Sequence, residues 1–284
     1  MELPDRLVGM ALRRSQPELV SEPFYADLVA GLDSVLQPAG AQLVKRIVPT
    51  LQAELAEYRR WSEDRVVTAF LMVDLLANDP RPELLNGLGL RGVVLGSADP
   101  VWGFPSVAVD NYAQMRELVE RMVAIGHVRL GRIGGNAELL HTRDRERAFT
   151  DTVSALGVTG TGADADYTAE GGAHAARELL AANQPPSVII CDNDMMAVGA
   201  LGLALDLGLS VPEELSIVAW DDSDQCRLAP VPISTMNHDV RGIGVLAGQA
   251  LIELLDGGQP DSIITGWPVW VPRATVADRL AAAL

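Results

Sequence analysis

Two stretches of the chain end an apolar run abruptly in acidic and amide side chains. Ser187-Val188-Ile189-Ile190-Cys191 gives way to Asp192-Asn193-Asp194, and Leu215 to Trp220 gives way to Asp221-Asp222. Short apolar runs bounded by polar residues read as buried strands. Open parallel sheets bind small ligands outside the carboxyl ends of their strands, so two such endings describe one binding crevice whose chemistry is hydrogen bonding. Adjacent carboxylates such as Asp221-Asp222 can also divide acid and base roles. Neighbours on a strand end point in opposite directions, however, so one carboxylate faces the crevice and the other faces away. No Gly-x-Ser-x-Gly elbow is present, and His127, His141, His174 and His238 show no ligand-like spacing with Cys191 and Cys226. The expectation is therefore a binding protein and not an enzyme, with no catalytic residue, metal or cofactor. A carboxylate at such an edge accepts hydrogen bonds from ligand hydroxyls or pairs an arginine.

Arg143-Asp144-Arg145-Glu146-Arg147 alternates charge at a helix start. A solvated, salt-bridged first turn would look the same. It follows Gly134-Gly135, though, at the end of the strand Val128 to Ile133, which puts it at the crevice mouth. Arg143 and Arg145 diverge on a helix, so only one need face a ligand.

The elements that position these groups alternate strand and helix throughout. In the first half, strands are expected at Leu7 to Leu12, Leu43 to Val48, Val66 to Val73 and Gly92 to Leu95. Helices are expected from Ser21-Glu22-Pro23 onward, from Leu51 to Trp61 and after Asp79-Pro80. A second series begins at Val107. Its helices are Tyr112 to Ala124, Arg143 to Leu156, Glu170 to Ala182 and Met195 to Leu207, and its strands those already named. An irregular stretch to Pro232, a helix from Arg241 to Leu255 and a last strand from Ile263 to Val271 complete the chain. Continuously apolar strands belong in sheets covered on both faces, and repeated strand–helix units imply parallel pairing. Gly87-Leu88-Gly89-Leu90-Arg91-Gly92 matches the dinucleotide glycine pattern in letters only, because it ends a helix and opens a strand instead of the reverse. Gly244-x-x-x-Gly248 permits close helix packing but is a weak signal in a soluble helix.

With 284 residues, two lobes are more natural than one core. Net charge is −16 and Lys45 is the sole lysine, a balance that repels phosphate backbones. No apolar run approaches the roughly 18 residues of a membrane span. The start, Met1-Glu2-Leu3-Pro4-Asp5-Arg6, lacks the form of a signal peptide. Two cysteines make no disulfide framework, so a cytoplasmic home with reduced thiols is expected.

Several pieces, in order, resemble the LacI/GalR family of bacterial transcription regulators over essentially the whole chain. They are Arg6 to Gly9, Pro23 to Leu28, Val107 to Asn111, Ile125-Gly126-His127, Ile133 to Gly135 and Thr142 to Phe149. Asp192 to Gly199, Gly208 to Pro212, Trp220-Asp221-Asp222 and Ile233 to Met236 follow. The resemblance implies an α/β fold of the type I periplasmic-binding-protein kind. Two flavodoxin-like, doubly wound lobes with parallel sheets would be joined by three crossovers, with an effector cleft between them. Lobe one would be 1–109 plus 237–265, and lobe two 110–236 plus 266–284. It further implies that Arg145, Asn193 and Asp221 hold ligand hydroxyls or polar ring atoms, that Tyr167 forms a stacking wall, and that Phe24 and Tyr25 line the opposite lobe.

Three departures stand out. The chain starts about where the family's helix-turn-helix and hinge helix would end, so operator DNA would be bound only through a head not included here. Arg13-Arg14 stands where small polar residues are common, hinting at an acidic ligand or at Arg13 pairing with a cleft carboxylate. Val240 occupies a position where some sugar-binding members carry an aromatic. The expected function is the effector-sensing, homodimeric core of a repressor that binds a small sugar-like effector. The alternative is the solute-binding protein of a sugar transporter, which shares the two-lobed logic.

Overall fold

The computed structural model describes residues 6–14 and 22–280. The expectations for Met1 to Asp5 and for Ser21 as a helix cap fall outside them. The chain divides into two units: everything up to Asp110 with Asp239–Thr265, and Asn111–His238 with everything from Gly266 onward.

Unit 1 runs β1 (Leu7–Arg13), α1 (Pro23–Leu36), β2 (Gln42–Val48), α2 (Leu51–Glu63), β3 (Ala69–Met72), α3 (Arg81–Gly87), β4 (Gly92–Gly96) and β5 (Ser106–Ala108). The chain then enters unit 2 with α4 (Asn111–Ala124), β6 (Arg129–Gly134), α5 (Leu140–Ala155), β7 (Thr159–Asp164) and α6 (Ala169–Leu180). It continues through β8 (Val188–Cys191), α7 (Asp194–Asp206), β9 (Ser216–Ala219), α8 (Asp224–Leu228) and β10 (Ser234–Asn237). It returns to unit 1 for α9 (Val240–Leu255) and β11 (Ile263–Ile264), and ends in unit 2 with β12 (Val269–Val271).

Both sheets have the same order, β2-β1-β3-β4-β5-β11 and β7-β6-β8-β9-β10-β12. Among the described residues all strand pairings are parallel except that of β12 with β10. In this flavodoxin-like order the switch point lies between β1 and β3 in unit 1, and between β6 and β8 in unit 2.

Period-two alternation sends each apolar strand to two cores. Ile189 and Cys191 of β8 join α6 and α7, whereas Val188 and Ile190 join α4 and α5. Ile217 and Ala219 of β9 face the first layer, while Val218 and then Trp220 face the second. Trp220 is thereby delivered to the side of the sheet that carries α5.

Some boundaries differ from those expected. β3 begins at Ala69 because Arg65, at φ 52°, closes α2 and the Val66 N–H donates to Trp61 O. β7, α8 and β10 were not expected at all: β7 is Gly-rich and half-exposed, and the other two are short. The single last strand is two strands in two sheets, since Pro268 supplies no N–H to continue a ladder. α1 starts after Glu22 without a side-chain cap. The glycine-rich loop after α3 ends a helix and leads into β4, Gly89 taking φ 65°.

The Gly244 motif does bring helices together. A Cβ on Gly244 would lie 2.2 Å from Leu28 O, and one on Gly31 would lie 2.1 Å from Arg241 O, so α1 and α9 touch backbone to backbone. Gly202 in α7 is the contrast, with nothing within 4 Å of a built Cβ. Gly244→Ala is expected to destabilise by about 1–3 kcal/mol through overpacking. Gly202→Ala should instead stabilise by up to about 1 kcal/mol through helix propensity. Urea unfolding of the two variants checks the opposite signs.

Candidate ligand site at the strand ends

In unit 2 the strand ends converge on Asp194, the first residue of α7 and almost fully buried. Its carboxylate accepts the backbone N–H groups of Trp220 at 3.0 Å, Asp221 at 2.8 Å and Ser223 at 2.6 Å. The turn after β9 is thus tied to the end of β8. Asn193 caps the same helix, Oδ1 accepting from Met196 N at 2.9 Å while Nδ2 donates to Tyr167 O at 3.0 Å. Asp192 receives Arg132 through Nε at 3.0 Å and Nη2 at 2.5 Å.

Arg145 is 9% exposed and Arg143 is exposed, so α5 turns the first of the pair inward. Its Nε donates to Asn111 Oδ1 at 2.8 Å and its Nη1 to Asp192 O at 2.7 Å. The guanidinium lies 4.0 Å over the Trp220 ring, and the His238 ring stacks on Trp220 at 4.8 Å and 20°. Burial lowers Arg145 from the ordinary guanidinium value, opposed by Asp192 and Asp221. Tyr167 adopts φ 66°, and its hydroxyl bonds His141 Nε2 at 3.0 Å and Thr142 Oγ1 at 2.8 Å. Its ring covers Gly135, where a Cβ would sit 2.0 Å from Tyr167 Cζ.

Asp221 and Asp222 diverge. Asp221 is half-buried and acts electrostatically on Arg145. Asp222, at φ 67°, turns to Arg273 at 2.5 Å and receives Asn237 Nδ2 at 2.9 Å, which braces β10 and the return of the chain into unit 2. Arg145, Asn193, Tyr167 and Asp221 are therefore gathered at the ends of β6, β8 and β9.

In unit 1 the ends of β1 and β3 carry a charged cluster. Arg13 Nε lies 2.9 Å from Glu54, and Arg13 Nη2 donates to Asp74 O at 3.0 Å. The carboxylate that Arg13 meets, Glu54, is fully buried on α2. Arg81, buried, reaches Glu54 at 2.7 Å and Asp79 at 2.6 Å. Arg14 pairs with Glu22 at 2.6 Å and Asp74 at 2.9 Å and lies over the Tyr25 ring. Tyr25 is itself buried, its hydroxyl donating to Asp74 at 2.5 Å, while half-buried Phe24 meets it edge-on at 5.1 Å. Burial pushes Glu22 up to about 7. Val240 is buried in the unit 1 core.

Sequence reasoning missed Arg132, Asp74, Glu54, Arg81 and the Trp220–His238 stack. Arg132 left a signal, since a charged residue inside Leu130-Gly131-Arg132-Ile133 must be paired when its strand is buried. Glu54 left another, four residues before Tyr58 on the helix face buried by Leu55 and Trp61. Among the described residues no group of three or more His, Cys, Asp or Glu forms a metal site, and no helix is long and apolar enough to cross a membrane.

Two flavodoxin-like units with polar groups at their switch points define the class of α/β ligand-binding proteins. A model of the periplasmic binding protein-like domain matches residues 119–276. The HTH-type transcriptional regulator CelR of Thermobifida fusca is 25% identical over 257 residues, 88% of this chain and 75% of CelR. A LacI family transcriptional regulator of Bifidobacterium animalis subsp. lactis has the same structure at TM-score 0.87 and 29% identity, over 97% of this chain and 99% of its own. A CelR–cellobiose complex superposes at TM-score 0.81 with 24% identity, covering 96% of this chain and 86% of that one. The chain belongs to the periplasmic-binding-protein-like family, as the core of a LacI-type transcription regulator.

Burial and the Arg145 cation depress His238 to about 3, and burial with Arg279 depresses His127 to about 4. Both are neutral when folded and regain a proton near pH 6.5 when unfolded, so the unfolded chain binds more protons below that value. Their stability contribution is complete above about pH 6.5 and is lost as pH falls toward 4 and then 3. Each histidine should cost about 2 kcal/mol at pH 5 relative to neutral pH. A His127→Asn, His238→Gln double variant should lose about 4 kcal/mol less than the parent over that interval, measured by urea unfolding at both pH values.

Proposed function

We propose that this core senses a small sugar-like effector held at its strand ends, and that binding controls operator recognition by a separate DNA-binding head. The observation that carries this reading is Arg145, with Nε and Nη1 committed to the protein, beside Asp221, Asn193 and the Tyr167 ring. A guanidinium, a carboxylate and an amide offer both donors and acceptors to hydroxyl groups, and a ring covers an apolar sugar face. CelR, a relative, has been solved in complex with cellobiose, which favours a sugar. In unit 1, Phe24, Tyr25 and Arg13 would contact or support a ligand at that unit's own strand ends. Tyr25 and Arg13 would act chiefly by holding Asp74 and Glu54.

Chemistry is not needed for this role, and the relatives are regulators and not enzymes. Those same relatives weigh for a regulator over a transporter's solute-binding protein. Both cysteines are free and buried, which suits a reducing cytoplasm.

Arg145→Ala and Asp221→Ala should each remove a charge-assisted bond worth about 1.5–3 kcal/mol and lower effector affinity at least tenfold. The fold should survive, judged by circular dichroism. Unchanged affinity by calorimetry in both variants would sink the site.

The chain should also form a homodimer without binding operator DNA by itself. Regulators that read two half-sites need a two-fold axis in their core, and a net charge of −16 denies the chain non-specific DNA contacts. Sedimentation at tens of micromolar showing only monomer would refute the first part. A tight mobility shift at low salt would refute the second.

A further inference from the structure

Unit 2 holds a second opening away from its strand-end site, a cleft of about 420 Å³ between α5 and the edge strand β7. That volume is in the range of small-molecule sites. Arg145, Asn193, Tyr167 and Asp221 take no part in its walls. One face of α5 forms the first wall, where Glu146, Phe149, Thr150 and Val153 follow the helical repeat. β7 forms the second, and Arg132 of β6 lies beside it, in register with Gly162.

The glycines of β7 account for the opening. Positions 160 and 162 turn to the same face of the sheet. A Cβ on Gly160 would lie 2.7 Å from Val153 Cγ2 and 3.0 Å from Phe149 Cε1, so there the strand touches the helix. A Cβ on Gly162 would meet nothing nearer than Arg132 O at 4.0 Å, so the space a side chain would fill is open.

The cleft is apolar at its back and acidic at its mouth. Phe149 and Val153 are buried, whereas Glu146, Thr150 and Asp164 are exposed. Arg132 is the one basic side chain of the lining, and Asp192 already binds it through two bonds. The α5 cations are directed elsewhere: Arg143 donates to Ala137 O, Arg147 pairs with Asp144, and Arg145 turns to the strand ends. Among the described residues Glu146 and Asp164 have no ion pair, and neither they nor Thr150 and Thr161 make a side-chain hydrogen bond. Unspent acceptors around an apolar wall suit a positive head on a hydrocarbon stem. An anion would be repelled by both carboxylates. A metal ion demands a shell of oxygen ligands that Phe149 and Val153 do not supply.

We propose that this cleft binds a small alkyl amine, its ammonium held by Glu146 and Asp164 with Thr150 and Thr161 as further acceptors, and its stem against Phe149 and Val153. The site is independent of the sugar-sensing reading, which uses none of these residues. Putrescine and agmatine are the probes, with 1,4-butanediol as the uncharged match and magnesium chloride as the simple cation. Each is titrated into the full chain up to about 10 mM, the range reached by a few exposed charge pairs. Calorimetry and the amide shifts of Gly160 and Gly162 are read together. At least one amine should bind and move both amides, while butanediol and magnesium do neither. Its Kd should rise at least about fivefold between 0.05 and 0.5 M salt, because charges at an exposed mouth are screened. Gly162→Val fills the open space without removing a charge, so it should abolish binding with a thermal midpoint no lower than the parent's. Glu146→Gln with Asp164→Asn, both on the surface, should keep the fold and weaken binding at least about fivefold. Failure of both amines to bind, or an unchanged Kd in either variant, overturns the proposal. Butanediol binding as tightly as the amine, or magnesium displacing the amine at equal concentration, overturns it as well.

Discussion

Asp194 holds one carboxylate where three backbone N–H groups converge, from Trp220, Asp221 and Ser223. Those donors leave the β9 ladder at its carboxyl end and have no strand partner there. A buried N–H without an acceptor costs about 1–3 kcal/mol, so three of them would not tolerate an apolar residue at Asp194. The rest of the unit 2 site depends on this one anchor. It sets the turn that sends Asp221 toward Arg145 and Asp222 toward Arg273. It also fixes Trp220, whose ring meets both the Arg145 guanidinium and the His238 imidazole.

Arg145 shows how a buried cation is kept usable. Full ion pairing would satisfy the guanidinium and remove it from ligand chemistry. Here Nε and Nη1 bond to neutral oxygens, Asn111 Oδ1 and Asp192 O, and the flat face rests on Trp220. The carboxylate of Asp192, which would otherwise compete, is occupied by Arg132. Orientation is therefore supplied by dipoles and a ring face, which costs less of the charge than a carboxylate would. Tyr167 is held by the same economy: two hydroxyl bonds at its tip and Gly135 beneath its ring, where any side chain would collide.

Unit 1 solves the matching problem with charge pairs. Parallel strands buried on both faces leave their carboxyl ends as the place where polar side chains can gather, and the switch point between β1 and β3 opens the layer of helices there. Arg13, Arg14 and Arg81 fill that opening with Glu54, Asp74, Asp79 and Glu22. Removing one member would strand its partner in a dry site, which makes the cluster rigid as well as costly to alter.

Much of this was legible in the chain itself. Continuously apolar runs such as Val188 to Cys191 specify strands buried on both faces, because no polar residue interrupts either side of the pleat. Their abrupt polar endings mark Asn193 and Asp221, and the alternation of Arg143 and Arg145 on a helix follows from its period. Tertiary structure decided everything that depends on distant partners. The stretch Ile263 to Val271 reads as one strand but is divided between two sheets at a proline. Arg13 could have awaited an anion, yet Glu54, 41 positions later, lies 2.9 Å away. Gly244 was a weak motif until Gly31 and Leu28 were brought against it. Local pattern reports which face a residue turns to the core, because that follows from backbone period alone. What waits for it there is set by chain topology, and no local pattern carries that.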